Sequence, residues 1–132
     1  MPRKNLEREM LLSDNNEKTI KDLMSMSKNE EFVNTVLYNR VGYNMYIEAY
    51  KYNHSIRNDE DLPDYLKDLV STYKLFDQCA QKLPDDLYSM YKAIFKQRLS
   101  LDVVAKHHYL SKTSIHRYKN LIVKALANCL HA

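Results

Sequence analysis

Apolar residues recur at intervals of three and four through most of this chain, a spacing that lines one face of a helix and predicts a succession of amphipathic helices. Residues 1–12 are charged with a little apolar content and read as a short helix. Ser13-Asp14-Asn15-Asn16 then interrupts the pattern and offers Ser13 or Asp14 as the next N-cap. Ile20, Leu23 and Met24 carry a helix over Glu17–Ser27. From Asn29 a long helical stretch runs toward Tyr52, with Phe32, Val33, Val36, Leu37, Tyr43, Ile47 and Tyr50 as its apolar positions. The polar run from Asn53 to Asp61 reads as a loop.

Leu62 to Ala80 is the cleanest amphipathic segment of the first half, with Leu62, Tyr65, Leu66, Leu69, Val70, Tyr73 and Phe76 at helical spacing behind Pro63 and Asp64. A fifth helix runs from about Pro84 to Gln97 and buries Leu87, Met90, Tyr91, Ile94 and Phe95. Ser100 and Asp102 then cap and charge the start of a short helix ending at His107. Tyr109 and Leu110 leave room for a turn of about 3–4 residues. Ser111 caps a last helix that continues through Leu126. Val104 and Ala105 on the first of this pair, Leu110 in the turn, and Ile115, Tyr118, Ile122 and Leu126 on the second face inward.

Composition sharpens this into a fold class. A single glycine (Gly42) and three prolines supply few turn-makers, which points to an all-α chain, a helical N-terminal body followed by a C-terminal helix-turn-helix. With 45% hydrophobic and 28% charged residues, a core can form. No run approaches the roughly 18 apolar residues of a membrane span. The opening Met-Pro-Arg-Lys-Asn is not the apolar run of a secretory signal, so the expected location is the cytoplasm. Cys79 and Cys129, far apart and outside any Cys-x-x-Cys spacing, are expected as free thiols there.

Charge divides the chain. Residues 1–81 hold 11 Lys/Arg against 14 Asp/Glu, whereas residues 82–132 hold 9 against 3 and four of the five histidines. We therefore expect a helical body over 1–81, for dimerisation or partner binding, and a module over 82–132 that meets an anionic partner. The outward face of the last helix carries Lys112, Thr113, Ser114, His116, Arg117, Asn120 and Lys124, all donors or cations, with no acid among them. A helix lying in the DNA major groove needs that inventory. Ser111, Lys112, Thr113, His116 and Arg117 are expected at base edges, with Ser114 and Asn120 beside them. Lys106, Lys119 and Lys124 are expected at phosphates.

Here the segment resembles the helix-turn-helix of sigma-70 region 4 and the related response-regulator type. The likeness rests on Leu83-Pro84, Leu-Ser-Leu-Asp-Val-Val-Ala at 99–105, Leu110-Ser111, Ser114-Ile115 and Lys124-Ala125-Leu126. Small phage transcription activators of the ArpU and RinA type are similar, and that resemblance implies regulation of phage late or packaging genes. This chain departs from the pattern at Val103, where the family has an acid, at His108, where it has leucine, and at Tyr109, where it has glycine. Tyr109 has either to accept a positive φ, at about 1 kcal/mol, or to remodel the turn.

The expected partner is double-stranded DNA, bound by a homo-oligomer, with a dimer favoured and RNA polymerase as a further partner. Alternatives are a sigma-like factor acting with the polymerase core, a phage packaging small subunit, and a protein-only interaction module. His107, His108, His116, Cys129 and His131 match no compact metal-ligand spacing. Asp59-Glu60-Asp61 and Asp85-Asp86 read as solvated loop and helix first-turn charge. No enzyme, metal or cofactor is expected. Tyr38, Tyr43, Tyr46, Tyr50 and Tyr52 offer either an aromatic binding face or core packing, the second being preferred.

Overall fold

The computed structural model describes residues 14–131. Among them are seven α-helices and no strand: α1 (Asp14–Ser25), α2 (Glu30–Tyr38), α3 (Arg40–Asn53), α4 (Asp64–Ala80), α5 (Asp85–Tyr91), α6 (Leu101–His107) and α7 (Lys112–Leu130), with a 3₁₀ turn at Asp59–Asp61 and a π turn at Lys92–Lys96. The all-α reading holds. No helix among the described residues is long and apolar enough to cross a membrane. The segment 1–12 and the Ser13 cap lie outside the described residues.

The described residues form two compact units, residues 14–26 with 41–73, and residues 27–40 with 74–131. This division is not the contiguous cut at 81/82 expected from charge, because residues 27–40 and 74–81 cluster with the C-terminal residues. Within the first unit, α1 buries Ile20 and Leu23, α3 buries Tyr46 and Ile47, and the first part of α4 buries Leu66 and Leu69. The Tyr46 and Tyr65 hydroxyls meet at 2.8 Å, which satisfies both phenols away from water. Burial and that shared bond push the Tyr65 hydroxyl well above its ordinary value.

The long stretch expected from Asn29 to Tyr52 is two helices. Asn39 ends α2: its backbone N–H and its side-chain amide both donate to the Thr35 carbonyl, at 3.2 and 2.8 Å. A side chain that captures a helix-end carbonyl offers the backbone a stop, as asparagine does readily. The tyrosines of this region divide by role. Tyr46 is buried and Tyr50 stacks on His54 at 4.0 Å, whereas Tyr38 and Tyr52 are exposed.

The second unit is assembled around α7, which packs against α2, α5 and α6. Phe32 of α2 meets Phe76 edge-to-face at 6.4 Å. Tyr91, Ile94 and Phe95 are buried as expected, but the helix that carries them widens in its last turn, where the Gln97 N–H donates to the Lys92 carbonyl five residues back. A half-buried polar cluster lies alongside. Arg40 grips Asp77 with two hydrogen bonds of 3.0 Å, and the Tyr91 hydroxyl donates to the same carboxylate at 2.7 Å. Burial opposes ionisation of Asp77, but the two donors outweigh it and hold its carboxyl below the usual range.

The cysteines correct a further expectation, that of free thiols. Cys79 on the last turn of α4 and Cys129 on the last turn of α7 are joined in a disulfide, with their Cα atoms 6.1 Å apart. A separation of 50 residues says nothing about distance once two helix ends lie side by side.

Candidate functional site

The candidate site begins at the end of α6. The backbone there closes a Schellman cap: Leu110 N–H donates to the Ala105 carbonyl at 2.8 Å, and Tyr109 N–H to the Lys106 carbonyl at 3.2 Å. That closure needs a left-handed residue between them, and Tyr109 supplies it with φ 57°. The strained choice is the one the chain takes. Ser55 ends α3 in the same way at φ 54°, and Arg98 follows the π turn at φ 57°. The single glycine, Gly42, sits within α3 and ends no helix.

Ser100 caps α6 by accepting from the Val103 N–H at 3.2 Å, and Ser111 caps α7 by accepting from the Ser114 N–H at 3.1 Å. Ser111 also donates its hydroxyl proton to the Ser114 Oγ at 2.9 Å, so both hydroxyls serve the start of α7. Between the helices lie only His108, Tyr109, Leu110 and Ser111.

The orientation of α7 follows from what it buries. Ile115, Ile122 and Leu126 are fully buried, with Tyr118 half-buried on the same side. On α6, Val104 and Ala105 are buried, while Leu110 in the turn is half-buried. Val123 and Ala127 are buried as well, which covers a second flank of the C-terminal half of α7 and goes beyond the stripe read from sequence. With that side of the helix covered, Lys112, Thr113, His116, Arg117, Asn120 and Lys124 are left exposed. At 100° per residue, His116, Asn120, Thr113, Lys124 and Arg117 fall within one band of about 100°. Helix α7 carries no acid, and the chain has none after Asp102.

The remaining candidates lie around this band. Ser114 is half-buried and committed to the cap, and Lys119 is half-buried on the side of α7 that carries Val123 and Leu126. Lys106 is exposed in the last turn of α6, on the helix that packs against α7. Two features of the region carry no sequence signal. Tyr109 is 97% exposed, with its ring packed on nothing. A cleft of about 300 Å³ opens between α5, the π turn and α6, lined by Lys92, Leu99, Val103, His107 and His108 among others. The His107 and His108 rings meet edge-on at 5.4 Å within it, and His108 is a half-buried wall of the cleft.

No family model, no curated protein and no solved structure matches this chain.

Proposed function

We propose that this chain is a sequence-specific, double-stranded DNA-binding transcription regulator in which α6, the four-residue turn and α7 act as a helix-turn-helix. The reading rests chiefly on the exposed band of α7, which gathers hydrogen-bond donors and cations on a helix with no carboxylate to repel phosphate. A major-groove helix reads base edges from its first turns and touches phosphates further along and at its flanks. Lys112, Thr113, His116 and Arg117 occupy the first turns, while Lys106, Lys119 and Lys124 flank them. The N-terminus of α7 adds its own attraction for a phosphate. The resemblance to sigma-70 region 4 and to phage activators supports the same reading, with the rest of the chain serving a second copy or the polymerase.

Selection of bound sequences from random duplex DNA by the purified chain tests this. We expect recovery of one motif, and a palindrome if the protein binds as a dimer. Arg117→Ala should cost roughly 1–3 kcal/mol of affinity for that motif and relax preference at one position. Lys124→Ala should weaken binding evenly across sequences and lower the salt slope by about one. Failure to enrich any sequence, together with affinity indifferent to salt, would reject the proposal in favour of a protein-only module.

A further inference from the structure

Tyr109 stands out once the turn is drawn. Its backbone occupies the left-handed region at φ 57°, where a side chain is strained and glycine is not. Strain of this kind is ordinarily offset by packing. Arg98, the other bulky residue in this conformation, offsets it by donating to the Tyr38 carbonyl at 2.9 Å and lying over the Tyr38 ring. Tyr109 does neither: its side chain is 97% exposed, and its N–H and its neighbour's close the cap in a way that glycine would serve as well. Within the fold the phenol is a net cost. A strained and unsupported aromatic next to a binding face is an observation that points outward, to a contact made only in a complex.

The surroundings say which contact. Tyr109 lies two residues before the cap of α7 and three before Lys112, with the exposed Lys106 and His107 on its other side. Every charged residue from position 103 onward is a cation. A phenol among them offers a donor hydroxyl and an apolar ring, which suit a phosphate oxygen and the deoxyribose beside it.

We infer that Tyr109 is a DNA-backbone contact that fixes how α7 enters the groove, with its hydroxyl donating to a phosphate and its ring against the adjoining sugar. This rests on the proposed function above. Such a contact positions the protein without reading sequence. The residue that weakens the turn is then the one that anchors it on the duplex.

The test is the pair Tyr109→Gly and Tyr109→Phe, read in melting temperature and in affinity for the selected duplex. We expect Tyr109→Gly to melt a few degrees higher than the parent and to bind about tenfold more weakly, the scale of a lost hydrogen bond to a charged group. Tyr109→Phe, which lacks the same hydroxyl, should melt like the parent and lose most of that tenfold in affinity. Sequence preference should be unchanged in both. The salt slope should also stay as it is, because no cation is removed. A glycine variant that binds as tightly as the parent overturns the inference, as does one that loses affinity and stability together. If the parent itself binds no duplex, the failure lies with the proposed function.

Discussion

At the scale of single residues, Asp77 shows how a half-buried charge is held. Its carboxylate accepts two bonds from Arg40 and one from Tyr91, and Lys96 lies 3.6 Å away. Because its native pKa is below the unfolded value, this group contributes stability that is complete above the unfolded carboxylate pKa near ~3.9 and is lost as pH falls through the native value. Asp77→Asn should cost about 2 kcal/mol at neutral pH and flatten the acid limb of stability below about pH 4. Melting temperature followed from pH 7 to pH 2 in both proteins checks it; parallel curves would show that Asp77 is not the group titrating. None of the cluster was legible beforehand. Arg40, Asp77 and Tyr91 lie 37 and 14 residues apart, and periodicity has no reach over such intervals. Tyr109 is the contrary case. The resemblance, with glycine at this turn position, left Tyr109 either a positive φ or a remodelled turn; the backbone takes the first, and the exposure of the ring had no sequence signal.

At the scale of elements, the start of α7 is set by one serine. Ser111 satisfies the Ser114 N–H through its hydroxyl oxygen at 3.1 Å. Ser111→Ala should lower stability by about 1 kcal/mol. Ser111→Asp separates folding from binding, because an aspartate keeps the cap and suits the positive helix end while repelling a phosphate. We expect Ser111→Asp to retain or gain melting temperature and to lose duplex affinity, measured side by side. Equal affinity would place the helix end away from the DNA. Helices α5 and α6, at seven residues each, are too short to persist alone and exist by packing. That explains why the pattern located them well: their buried positions, Met90, Tyr91, Val104 and Ala105, are what make them helices here. It fared less well where a polar side chain intervenes, as at Asn39.

At the scale of the molecule, the Cys79–Cys129 bond joins the last turns of α4 and α7 and encloses α5 and α6. Closing a loop of 50 residues removes entropy from the unfolded chain worth about 4 kcal/mol in the loop-entropy model. Reduction, or Cys79→Ser with Cys129→Ser, should therefore lower the denaturant midpoint and loosen the C-terminal turn of α7. Denaturation with and without reductant, with hydrogen exchange at Asn128–Leu130, measures both effects. Unchanged stability on confirmed reduction would mean that the packing of α7 on α2, α5 and α6 suffices without the bond. His131, whose ring nitrogen meets the Lys28 carbonyl at 2.6 Å, adds a second tie at that end of the chain.

The sequence by itself determined what depends on neighbours three to five residues away: the helical class, most helix limits, the two serine caps, the short turn and the acid-free outward face of α7. Such features follow from backbone hydrogen bonding and side-chain period, which act locally. Tertiary structure alone decided the partners of groups far apart in the chain. It joined Cys79 to Cys129, gathered Arg40, Asp77 and Tyr91, covered Val123 and Ala127 on a second flank of α7, and grouped residues 27–40 and 74–81 with the C-terminal helices. These depend on which helix ends come side by side, a matter of packing that no local spacing encodes.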